Sequence, residues 1–132
     1  MRELKKGSLG MLLLQLLSEK PSYGYELGER LRARSDGALQ FDEGAIYPLL
    51  HDFARRGLVS SYWEADATLA AGVGAEAEPG RESARKGPPR RYYRITDAGR
   101  QALEAHRAEW QAFARAVGSV LNGGAPNVAT TG

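Results

Sequence analysis

Five cations fall within ten residues, Arg85, Lys86, Arg90, Arg91 and Arg94, with no acid among them. Such a run on a hairpin holds phosphate oxygens or reaches into a minor groove, with an affinity that falls steeply with salt. A merely solvated charge run is the plain alternative. Other reactive side chains are sparse. The chain has no cysteine, which removes disulfides, thiol catalysis and cysteine-bound zinc or iron–sulfur clusters. Imidazole comes only from His51 and His106, 55 residues apart, so a metal site would have to be built from carboxylates or shared between chains. No metal and no cofactor is expected. Serine and histidine occur without a nucleophile turn, glycine-rich phosphate loops are missing, and the adjacent Asp42 and Glu43 read as helix-start acids, so no catalysis is expected either.

The basic run needs elements to carry it. At 132 residues, 42% apolar and 26% charged, the chain suits one compact domain, or one plus a tail. A net charge of +2 does not by itself argue for nucleic acid; the placement of the cations does. The apolar run Leu12–Leu14 and Leu16–Leu17 is broken by Gln15 and too short to span a bilayer. No membrane partner and a cytoplasmic location are the expectations.

Leu9 to Leu17 is apolar on almost every side, so the helix it forms must be covered all round, in part by another subunit, with Leu12 and Leu16 as candidates for that contact. Ser22 is the expected N-cap of a second helix running through Tyr25, Leu27 and Leu31 to about Arg34, stopped by Ser35, Asp36 and Gly37. Gly24 and Gly28, one turn apart, allow a close neighbour. Leu39 and Phe41 alternate with polar residues like a very short strand. Asp42 caps a third helix with Ile46, Leu49, Leu50 and Phe53 on its inner side, ending at Gly57, and Pro48 leaves its start uncertain.

Leu58–Trp63 and Arg91–Thr96 alternate polar with β-branched and aromatic residues, which predicts a hairpin. Between them 14 of the 26 residues from Glu64 to Pro89 are Ala, Gly or Pro, too little apolar bulk to pack, so 64–89 is expected to be a flexible insertion. Thr96 caps a last helix over 97–121. Its Leu103, Trp110 and Val117 recur every seven residues, as do His106, Phe113 and Val120, giving two to three heptads of a seam. That stripe packs either on its own domain or on a second copy. Residues 122–132 read as a disordered tail.

Three stretches in this order, Pro21-Ser-Tyr-Gly-Tyr-Glu-Leu27, Gly44-Ala-Ile-Tyr-Pro-Leu-Leu-His51 and Arg90-Arg-Tyr-Tyr-Arg-Ile-Thr-Asp-Ala-Gly99, resemble the signatures of PadR-family transcriptional regulators, in the subgroup with a single C-terminal helix. The resemblance covers roughly Gly7 to Leu121 apart from the insertion, which departs from the short wing of typical members. It implies a mainly α fold with a small β hairpin: a winged helix-turn-helix over 1–96 and a dimerisation helix over 97–121. It further implies a homodimeric DNA-binding regulator, usually a repressor, on a palindromic operator whose half-sites lie about one helical turn, or 10 bp, apart. A winged-helix module that docks proteins without binding DNA is the alternative.

On that reading the helix from Gly44 to Arg56 enters the major groove. Tyr47, His51 and Arg55 face outward, with Gly44 and the small Ala45 near its start. Tyr47 contacts phosphate or packs beneath the wing. By resemblance Tyr23 is a backbone contact at the start of the second helix, and Lys5, Lys6, Lys86, Arg90 and Arg91 complete the candidate DNA-binding set. Trp110 is either dimer core or a flat wall for a small aromatic effector, since a multidrug-binding member of the family has a Trp at the matching place; that member has an acid where this chain has Ala114. Gln15, Trp110 and Phe113 form the candidate effector site, with a hydrogen-bonded core amide as the plain reading of Gln15.

Overall fold

The computed structural model describes residues 2–64 and 89–123, with side chains from Ser8 onward. Among the described residues, four helices and three short strands follow in the order α1 (Arg2–Glu19), β1 (Ser22–Tyr23), α2 (Gly24–Arg34), α3 (Glu43–Arg55), β2 (Val59–Trp63), β3 (Arg91–Ile95) and α4 (Asp97–Leu121). The mainly helical fold with a small β element holds. None of the described helices is long and apolar enough to cross a membrane.

The all-round apolar character of α1 is satisfied mostly within the chain. Leu9, Met11, Leu13, Leu14, Leu16 and Leu17 are buried, and α1 packs against α2, β3 and α4. Leu16, expected at a subunit contact, is 3% exposed and lies in this core, whereas Leu12 keeps part of its surface. Leu103 of α4 is 4% exposed and joins the same core.

One expectation about α2 is corrected. Ser22 does not cap it: that residue is in β1, fully buried, and its hydroxyl accepts a hydrogen bond from Arg30 Nη1 at 2.7 Å. The N-cap is Tyr23, whose side chain makes no capping bond. Tyr25 points outward; Gly24, Leu27 and Leu31 form the buried side. The helix does stop at Ser35, and Asp36 and Gly37 turn the chain with φ of 55° and 82°. Leu39 and Phe41 form no strand.

Asp42 caps α3 as expected, its Oδ1 accepting from the Ala45 amide at 3.2 Å. Pro48 is accommodated inside the helix. Gly57, at φ 78°, closes it: the Leu58 amide donates back to the Phe53 carbonyl at 2.8 Å and the Gly57 amide to Ala54 at 3.1 Å, a glycine-terminated helix end. The chain then enters the hairpin.

β2 and β3 pair antiparallel with Val59 opposite Ile95 and Trp63 opposite Arg91. A third strand missing from the sequence reading, β1, pairs with the other side of β3, Ser22 opposite Tyr93 and Tyr23 opposite Tyr92. Glu64, assigned by sequence to the flexible insertion, instead continues the ladder by donating its amide to the Arg90 carbonyl at 2.8 Å. The rest of that insertion, residues 65–88, and the tail beyond Gly123 lie outside the described residues. Thr96 caps α4 through Gly99 at 3.1 Å and also donates its hydroxyl to the Gly57 carbonyl at 2.7 Å, which fixes the start of α4 on the end of α3.

Candidate nucleic-acid interface

The inner face of α3 is set by Ile46, Leu50 and Phe53. What remains outside is a stripe of Gly44, Pro48, His51 and Arg55 at steps of four, three and four, all exposed. Ala45, expected near the groove, packs partly against the core instead, and Pro48 takes an outward place that the sequence reading did not give it. The spacing of 48 between 44 and 51 was the available signal.

Tyr47 is half-buried with its ring against Gly24, and burial pushes its phenol pKa up, so it stays a neutral donor at physiological pH. Its ring lies 6.1 Å from that of His51. Arg55 is ion-paired to Asp52, which also holds Arg56 Nη1 at 3.0 Å through its other oxygen. Both arginines remain exposed.

Pleating sorts the hairpin's cations onto two faces. Arg91 shares the side of Tyr93 and Ile95; it donates to Ser61 Oγ from Nε and Nη2, at 3.2 and 2.8 Å, and lies 4.9 Å over the Trp63 ring. On the opposite side Tyr62 stacks on Tyr92 at 5.8 Å, and Tyr92 meets Tyr23 edge-on at 5.3 Å. Arg94 covers Tyr62 at 5.6 Å and Arg90 covers Tyr23 at 4.6 Å, with Glu64 Oε2 3.7 Å from the Arg90 guanidinium. Thus Tyr23 and Arg90, 67 positions apart along the chain, meet beside the first turn of α2. Arg85, Lys86 and the side chains of Lys5 and Lys6 lie outside the described residues.

The profile of the transcriptional regulator PadR-like family matches residues 13–70. A PadR family transcriptional regulator from Eggerthella lenta is 30% identical, with 90% of this chain and 86% of that one covered at a TM-score of 0.65. The chain belongs to the PadR family. A PadR-like regulator from Bacillus cereus is 28% identical over 90% of this chain and 96% of that one, again at a TM-score of 0.65. A transcriptional regulator from Clostridium thermocellum, 23% identical, has the same fold at a TM-score of 0.69, covering 89% and 94% of the two chains. PadR membership makes the chain a non-enzymatic, DNA-binding transcriptional regulator, which favours nucleic acid over the protein-docking alternative.

Away from this PadR winged unit, α4 carries the effector candidates. Trp110 and Phe113 sit 6.0 Å apart and, with Met11, His106 and Glu109, line a hollow of ≈ 210 Å³ between α1 and α4. Gln15 does not line it. Its amide is held by Arg107 and Glu19, as the plain reading of that residue had it, though at the protomer's surface. Glu109 supplies an acid to the hollow that sequence reasoning missed.

Proposed function

We propose that the chain is a homodimeric repressor that binds a palindromic operator with α3 in the major groove and the hairpin along the adjoining backbone. The observation that carries the dimer is the outer face of α4. In a 25-residue helix, about 37 Å long at 1.5 Å per residue, only Gly99 and Leu103 are buried. Trp110, Phe113, Val117 and Val120 are 41%, 52%, 37% and 77% exposed, although they keep the heptad spacing of a seam. So large an uncovered apolar stripe in water calls for a partner of matching shape, and a second α4 supplies one.

Two α4 seams place two winged units on one duplex. In each, His51, Arg55 and the backbone at Gly44 face the base edges, while Tyr23, Arg90 and Arg91 hold phosphates. The first turn of α2 has no side-chain cap, so its amides remain open to a phosphate oxygen beside Tyr23. In α3 and α4 that place is taken by Asp42 and Thr96.

A small planar aromatic effector in the hollow beside Trp110 and Phe113 would relieve repression by changing the angle between winged units, with Glu109 suiting it to a positive charge. Titration of a duplex spanning the upstream region of the protein's own gene, followed by anisotropy and sedimentation, tests the core of this reading. Two chains per duplex are expected, with affinity falling steeply between about 50 and 200 mM salt. No binding at low salt, or full occupancy by a single chain, would refute it. For the effector, quenching of Trp110 by a panel of planar aromatic cations must be lost in Trp110→Ala, which leaves Trp63 as the internal control.

A further inference from the structure

Gln15 stands among apolar neighbours of α1 with its amide at the protomer's surface, and it uses both its acceptor and its donor. Its Oε1 accepts from Arg107 Nη1 of α4 at 3.1 Å, and its Nε2 donates to Glu19 Oε2 at 3.0 Å. The other oxygen of Glu19 receives Arg34 Nη1 at 2.6 Å and Arg30 Nη2 at 3.1 Å, both from α2. Arg30 then reaches two further places. Nη2 donates to the Leu16 carbonyl at 3.2 Å, and Nη1 to the hydroxyl of Ser22 at 2.7 Å. Ser22 is fully buried in β1, and the next residue is Tyr23.

We propose that Gln15 is a positioning residue that ties the orientation of α4 to the seat of Tyr23, through Glu19, Arg30 and Ser22. The proposal rests on the DNA-binding role of Tyr23 and names the regulation of that site. The amide suits the joint because one side chain must accept from a guanidinium and donate to a carboxylate. Glutamate could do only the first and lysine only the second. Arg107 follows His106, which lines the hollow between α1 and α4, so a wedge entering there and prising the helices apart acts first on the Arg107–Gln15 bond. Movement of α4 thereby reaches the first turn of α2 without a contact between α4 and DNA.

The test is a double-mutant cycle on operator affinity with Arg107→Met and Gln15→Leu, measured on the upstream duplex of the protein's own gene. Each single change lowers affinity about 5-fold, a modest coupling by the usual scale, and the double variant loses no more than either. The slope of affinity against salt stays that of the parent, since no phosphate contact is removed. Independent, multiplying losses, no loss at all, or a slope reduced by about one charge, the mark of a phosphate contact, would each overturn the proposal. Amide exchange in the free protein separates this from the DNA-binding reading. Arg107→Met must speed exchange of the Ser22 amide, which pairs with Tyr93, relative to that of Ser60, which pairs with Arg94, even if the parent chain binds no duplex, and equal protection there sinks the relay. If Gln15→Leu does not fold, the exposed Arg107→Met and Arg107→Lys carry the same measurements, Lys retaining most of the coupling.

Discussion

Gly24 gives up its side-chain space to Tyr47. A β-carbon on Gly24 would stand 2.6 Å from Cζ of the Tyr47 ring, 2.7 Å from Cε1 and 2.8 Å from the hydroxyl oxygen. The start of α2 and the outward edge of α3 are therefore one fitted joint, and the ring that fills it stands beside His51 on the proposed reading surface. Gly24→Ala must expel the ring. Overpacking of this kind costs about 1–3 kcal/mol, and urea unfolding should read a loss in that range. Tyr47→Phe leaves the Cζ clash in place and gives no rescue, whereas in a Tyr47→Ala background the same glycine change should be nearly silent. A Gly24→Ala protein as stable as the parent would contradict the joint.

The two hairpin arginines are separable. Arg91 is held by Ser61 and Trp63 on one face, while Arg90 lies over Tyr23 on the other and is partly neutralised by Glu64. Each loses about one counterion from the salt dependence when changed to Ala if it meets a phosphate. Glu64→Gln should act in the opposite direction, tightening duplex binding a few-fold by freeing Arg90. An unchanged affinity for Glu64→Gln together with an unchanged slope for Arg90→Ala would remove Arg90 from the interface and leave Arg91.

How much of this was legible in the sequence follows the range of the interaction. Caps at Asp42 and Thr96, the stop at Gly57 and the extent of α4 depend on a few neighbouring residues, and each is found where the local pattern put it. The strand β1 was not readable. Two residues cannot show alternation, and their partners Tyr92 and Tyr93 lie some 70 positions away. For the same reason Ser22 looked like a cap when it is a buried acceptor. Gln15 stood out by type, but its partner Arg107 is 92 residues distant, so its role needed the fold.

Acid should loosen the joint between α1 and α2 through a single carboxylate. The Arg34 hydrogen bond, then that from Gln15 and the charges of Arg34 and Arg30, hold the Glu19 carboxyl at about 2, below its ordinary 4.5. A group whose folded pKa is depressed contributes stability that is fully present above the unfolded value and disappears as pH falls through the folded one. The window for Glu19 therefore runs from about pH 4.5 down to about 2. Glu19 is partly exposed, so solvent screening keeps the contribution small. Urea midpoints between pH 6 and 3 should fall less in Glu19→Gln than in the parent, and parallel curves would deny the carboxylate this part.

A charge placed on the outer stripe of α4 distinguishes a subunit seam from an idle surface. Phe113 and Val117 are exposed in the single chain, so Phe113→Asp or Val117→Asp removes nothing from the protomer core and should leave its helix content intact. In a seam the same change buries a carboxylate in both subunits. Each also removes the apolar burial of a large side chain, worth about 1.5–3 kcal/mol, or roughly ten- to hundredfold in a dissociation constant. Sedimentation equilibrium should show the parent as a dimer and Phe113→Asp as a monomer, with operator affinity falling because a monomer reaches one half-site. Asp97, on the first turn of the same helix and away from the stripe, provides the control: Asp97→Asn changes charge without touching the seam. Were Phe113→Asp to remain dimeric with full operator affinity, the partner of this stripe would not be a second α4.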